Sequence, residues 1–88
     1  MVMNDELKAE LTIPFSCIEH AQIAFNTLSV DQEPRKDLIK KVISLNKTHC
    51  QVQVAWTAKE ARILRVSLNS FLDHLNSVIE TIQQFSDY

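Results

Sequence analysis

Cys50-Gln51-Val52-Gln53-Val54-Ala55-Trp56 is the stretch that decides the fold. Cys50, Val52, Val54 and Trp56 alternate with Gln51, Gln53 and Ala55. Period-2 alternation makes a strand with one face on a core and the other in water. By parity, Trp56 belongs to that core together with Val52 and Val54. Upstream, Asn46-Lys47-Thr48-His49 reads as a turn, with Asn46 the residue best suited to a left-handed backbone in a chain without glycine. Before it, residues 38–45 read as a second strand, interrupted by Lys40 and Lys41, with Ile43 and Leu45 inward. Two strands joined by a short polar connection predict a hairpin.

Downstream, Thr57 and Glu60 have the spacing of a capping box, opening a helix from about 58 to 85. Leu64, Leu68, Phe71, Leu75, Val78, Ile82 and Phe85 recur at alternating steps of four and three, and Leu72 and Ile79 widen the stripe. At ~1.5 Å per residue such a helix is roughly 40 Å long, whereas an eight-residue strand spans about 27 Å. Part of the stripe is therefore expected to meet something beyond the sheet.

The N-terminal third repeats the two patterns. Leu7, Ala9, Leu11 and Ile13 alternate with Glu6, Lys8, Glu10 and Thr12, and Pro14 ends the run because proline cannot donate to a ladder. Ser16 and Glu19 have capping-box spacing, and a helix follows to about Leu28, burying Ile18, Ala21, Ala24, Phe25 and Leu28. Asp31 to Pro34 reads as a polar loop. The order is β-α-β-β-α, which predicts an α+β domain spanning 1–88, with a structured core of about 6–86. Its two layers are two helices packed on one face of a three-stranded antiparallel sheet. A right-handed crossover leaves room for the third strand between the first two.

Composition narrows the function. With 88 residues the chain holds one domain, of a size that buries roughly 60–65% of its unfolded surface and gains from a partner. It contains no glycine. Phosphate-cradling loops, dinucleotide fingerprints, nucleophile elbows and the clamp loop of KH domains need glycine where backbone comes close or takes φ > 0. The net charge of −2 opposes a protein whose main task is gripping phosphate backbones. Cys17 and Cys50 are too few for a disulfide framework, which suits a reducing compartment. Neither a signal peptide nor a membrane span is expected.

The ordered pieces resemble the CTAG/Pcc family, whose members are the smallest core subunit of the KEOPS (EKC) complex. The resemblance rests on Leu11-Thr12-Ile13-Pro14-Phe15 leading into Ala21-Gln22-Ile23-Ala24, then Leu28 and Asp31 through Pro34. It continues through Leu64-Arg65-Val66-Ser67 and Phe71-Leu72-Asp73 to a helix end near Phe85, covering about Glu6 to Phe85. Phe71-Leu72-Asp73-His74-Leu75 and Gln84-Phe85 resemble the animal members more than the fungal ones. The turn between strands two and three departs from the family pattern.

The resemblance implies a non-catalytic scaffold in the machinery that places threonylcarbamoyl on the adenosine beside the anticodon of certain tRNAs, in cytoplasm and nucleus. It implies that the helices dock on a catalytic subunit with an ATPase-like fold. The sheet side would pair with a second copy or a small accessory subunit, and tRNA would be touched only indirectly or weakly. No enzymatic activity, cofactor or membrane contact is expected. For the helix surface, Ile23 stands about 160° around its helix from Phe25 and cannot share its core. Ile63 and Val66 lie off the main stripe, beside Ser70, His74 and Ser77. These six are the expected partner-binding residues.

Other constellations carry less. Cys17 with His20 and His49 with Cys50 offer four metal-ligand types but no paired CxxC or HxxxH, so the thiols read as small hydrophobes. Asp73 and His74 are adjacent on a helix and do not face each other. Arg35, Lys36, Lys40, Lys41 and Lys47 are spread out and partly offset by acids. The competing reading is a stand-alone small RNA-binding α+β module; missing glycine, acidic charge and the absence of an aromatic platform count against it.

Overall fold

The computed structural model describes residues 6–30, 33 and 35–86. The expectations for Asp31, Pro34 and the Phe85 side chain fall outside the described residues. Five elements follow in order: β1 Leu7–Pro14, α1 Ile18–Leu28, β2 Ile39–Asn46, β3 Gln51–Ala58 and α2 Ala61–Ser86. The sheet order is β1-β3-β2, with both neighbours antiparallel to the central strand. The α+β class and this arrangement agree with the sequence reading.

Register explains which side chains are covered. Ala9, Leu11 and Ile13 pair with Trp56, Val54 and Val52, and across the sheet Ile43 and Leu45 pair with Val54 and Val52. These positions share the inner face because side chains alternate across a strand. From the helices, Ala21, Ala24 and Leu28 of α1 and Phe71, Leu75, Val78 and Ile82 of α2 complete the buried core. Ile18, Phe25, Leu64, Leu68 and Ile79 pack against it partly covered. Leu72 instead points into solvent at 40% exposure, so it does not widen the buried stripe. The long helix outruns the sheet as expected: its 26 residues compare with eight in each strand.

Local chemistry differs from the sequence reading at the helix starts and at the hairpin. Cys17, extended at φ −151° and ψ 163°, is the N-cap of α1 and makes no side-chain cap bond, so the Ser16–Glu19 box does not form. Thr57 still belongs to β3; the first bond of α2 is Leu64 N–H to the Glu60 carbonyl at 3.1 Å. Sheet pairing thus holds Thr57, while Glu60 lies between β3 and α2. In the hairpin, Asn46 closes β2, and its Oδ1 accepts the His49 N–H at 3.2 Å. Cys50, not Asn46, takes the left-handed backbone, with φ 54°. It is the last residue of the turn rather than the first of the strand, and its carbonyl accepts the Phe15 N–H at 2.9 Å.

A non-glycine, non-asparagine residue in this region is strained. Cys50→Asn should therefore raise stability by about 0.5 kcal/mol, or ~2–4 °C in Tm for a domain of this size. Thermal unfolding followed by circular dichroism checks it; an unchanged or lower Tm contradicts the strain.

Candidate protein-binding site

Two depressions lie along the flank of α2 that the core leaves uncovered. The first, about 220 Å³, is a groove between the helices lined by Ile23 and Thr27 of α1 and by His74, Ser77, Val78 and Thr81 of α2. Ile23 is 49% exposed, as its position opposite Phe25 requires. The hydroxyls of Ser77 and Thr81 donate to the carbonyls of Asp73 and Ser77, one turn back, at 3.4 and 3.0 Å. Folding the hydroxyls onto their own helix leaves small, largely satisfied side chains at the surface, where another helix can come close.

The second depression, about 330 Å³, opens between the N-terminal half of α2 and the start of β2. Ile63, Val66 and Ser70 line one wall, with Ile39 and Phe71 beneath. Of the six residues predicted from sequence, five lie on α2 and Ile23 lies on α1, and they divide between the two depressions. Ile23, His74 and Ser77 meet in the groove; Ile63, Val66 and Ser70 line the cleft.

Beneath the cleft runs a polar chain that sequence reading missed. Trp56 Nε1–H donates to Ser67 Oγ at 3.1 Å, and Ser67 Oγ–H donates to Glu33 Oε1. The same carboxylate oxygen stands 3.8 Å from Lys41 Nζ, and that ammonium lies 5.6 Å from the Phe71 ring centroid. Phe71 in turn meets Trp56 edge-on, centroids 5.3 Å apart. Each member explains the next: a buried indole N–H needs an acceptor, a buried serine needs a second partner, and a covered carboxylate needs a cation. Parity held the clue, because Lys41 shares its face with Ile39, Ile43 and Leu45 and lies opposite Trp56.

No group of three or more His, Cys, Asp or Glu side chains suited to a metal is present among the described residues. Trp56 is buried at 1% exposure, so its ring is unavailable for stacking on a base.

A family model described as "Pcc1: Transcription factor Pcc1" matches residues 8–83, from the second residue of β1 to the last turns of α2. The chain belongs to the Pcc1 family. Among curated proteins it is similar to the mouse EKC/KEOPS complex subunit Lage3, 40% identical over 75 residues that cover 85% of this chain and 49% of the relative. It is also similar to the human EKC/KEOPS complex subunit LAGE3, 35% identical over 75 residues covering 85% and 51%. The chain therefore spans about half the length of the curated relatives it matches. A chain of the crystal structure titled "binary complex Gon7-Pcc1" superposes with a TM-score of 0.81 at 26% identity, covering 90% of this chain and 95% of that one. Both mammalian relatives accord with the animal-like reading of the sequence. In this Pcc1-family chain the two-layer fold runs from β1 to α2, and both depressions open beside α2.

Proposed function

We propose that this chain is a non-enzymatic assembly subunit of a KEOPS-type complex, supporting threonylcarbamoylation of the adenosine next to the anticodon in tRNA. The observation that carries the reading is the solved relative, which shares the fold over 90% of this chain and stands in a complex with another protein, Gon7. The naming of both mammalian relatives as EKC/KEOPS subunits supports the same assignment. Residues 6–86 act as one interaction domain at work in cytoplasm and nucleus, needing no cofactor.

Two surfaces divide the work. The outward flank of the helices, with Ile23, Ile63, Val66, Ser70, His74 and Ser77, docks on the catalytic ATPase-fold subunit. The sheet side, whose order leaves β1 and β2 as edges, takes a second copy or a small accessory chain, since unpaired edges are templates for a further strand. Contact with tRNA is indirect or weak. Among the described residues no helix is long and apolar enough to cross a membrane.

The test is co-elution of the chain with the purified catalytic subunit in size-exclusion chromatography, beside tRNA titration of the chain alone. A stoichiometric protein complex with weak RNA binding supports the assembly role. Tight RNA binding with no protein complex would instead identify a stand-alone RNA-binding module.

A further inference from the structure

The cleft beside β2 is more than an apolar dent. Among the described residues three cations border it, Arg35, Lys41 and Arg62, against one carboxylate, Glu33. Arg35 reaches the exposed Asp37 at 3.6 Å, and Arg62 has no ion-pair partner among the described residues. Lys41 is the unusual member, because its side chain is only 9% exposed. Its one charged neighbour among the described residues, Glu33 Oε1, lies at 3.8 Å, beyond hydrogen-bond distance, and already accepts from Ser67. An ammonium carries three N–H donors and cannot accept. Those of Lys41 have no hydrogen-bond acceptor among the described residues, and they border the cleft. No buried side-chain nitrogen or oxygen among the described residues lacks a partner, so the Lys41 ammonium, ion-paired to Glu33, meets solvent at the cleft, where a carboxylate can replace water on its remaining donors.

The opposite wall makes a different demand. Ile63 is half-buried and Val66 is 60% exposed, above the buried Ile39 and Phe71. An occupant that satisfies both walls pairs an apolar body with a negative charge a few ångströms away. The α2 wall continues through Ser70 to His74 and Ser77, into the groove against α1. A track running along one helix fits a stretch of polypeptide. A nucleic acid strand fits poorly: the chain is net negative, and Phe71, the one ring lining the cleft among the described residues, is buried.

We infer that the Lys41–Arg62 cleft receives an acidic-apolar segment of a partner protein, with an aliphatic or aromatic side chain against Ile63 and Val66 and an Asp or Glu carboxylate on Lys41 and Arg62. This deepens the proposed assembly role, and rests on it, by stating the chemistry of the segment that docks at the β2 end of α2. Phe71 contributes its face to Lys41 from below, which holds the ammonium in place for that carboxylate.

Two experiments test it. In the first, the isotope-labelled chain is titrated by nuclear magnetic resonance with 4-phenylbutyrate, its neutral amide and 4-phenylbutylamine. The carboxylate should give saturable shifts at Ile39, Lys41, Ile63 and Val66 at roughly fivefold lower concentration than the amide, with the amine weakest. Arg62→Gln, at an exposed position, and Lys41→Met should each shrink that preference. Equal response to all three probes, or shifts that avoid the cleft, overturns the inference. In the second, Val66 is replaced by photo-cross-linking p-benzoylphenylalanine and the chain is assembled with the catalytic subunit. The cross-linked partner peptide should carry an Asp or Glu within about one helical turn of the captured residue. Cross-linking to RNA or to a lysine- and arginine-rich segment, or none from an intact complex, overturns it. If no complex forms at all, the assembly reading has failed, while the probe titration still decides the charge preference of the cleft.

Discussion

Trp56→Ala is expected to remove about 3–5 kcal/mol of stability, the range for truncating a large buried aromatic. Domains of this kind hold ~5–15 kcal/mol in total, and one of 88 residues sits toward the low end, so little cooperative unfolding should survive. Three losses coincide at this position. The side chain is 1% exposed on the central strand of the sheet, so its truncation opens a cavity under the helix layer. The edge-on contact with Phe71 disappears, and with it part of the surface that steadies Lys41. Ser67 also loses the indole donor at 3.1 Å while remaining buried. Trp56→Phe keeps most of the packing and drops only the N–H, so it should cost clearly less. Circular dichroism is the readout, since Trp56 is the single tryptophan and its fluorescence leaves with it. A Trp56→Ala chain melting within about 2 °C of the parent would contradict this account of the core.

Ile23→Asp and Ser70→Arg should act on assembly instead of folding. Ile23 opens into the groove between the helices and Ser70 into the cleft beside β2, and both are exposed. Surface substitutions usually change stability by roughly ±0.5 kcal/mol, so both chains should fold normally. A charge or a long side chain placed in a close-packed helix contact should weaken binding to the catalytic subunit by about 2 kcal/mol, near thirtyfold in Kd. Thermal unfolding of each variant alone, beside its affinity by calorimetry, separates the outcomes. Variants that unfold would mean these residues serve the core. Normal folding with undiminished affinity would place docking elsewhere. Because the two positions open into different depressions, a loss in only one confines the contact to that site.

The legible parts of the chain were those where one side-chain pattern had one physical cause. In β1 and β3 the alternation reports a single buried face, and Trp56, Val54 and Val52 lie where parity puts them. In α1, Ile23 stands outside the core for the same reason that Phe25 packs against it. β2 looked irregular because Lys41 takes an apolar position, and only tertiary structure supplies the reason: Glu33 from the preceding loop and the Phe71 ring make an inward lysine tolerable. The cap spacings misled for two reasons: Thr57 is already committed to β1 and β2 through β3, and at α1 the cap position falls on Cys17, one residue after Ser16. The left-handed residue could not be located without the register, which extends β3 to Gln51 and leaves Cys50 to close the turn. On α2, helical period placed Ile63, Val66 and Ser70 off the buried stripe, and they line the cleft beside β2. It could not show that Ile63, Val66 and Ser70 face a charged cleft, since Glu33, Lys41 and Arg62 come from three separate segments.

The most direct test of the assembly role is native mass spectrometry of the chain mixed with the catalytic subunit and a small Gon7-like accessory chain, together and pairwise. Separate surfaces for the two partners, the helix flank and the sheet side, predict a ternary species that contains all three proteins, with either binary pair forming on its own. A chain that stays monomeric in every mixture, or that exchanges one partner for the other and never holds both, would contradict the account.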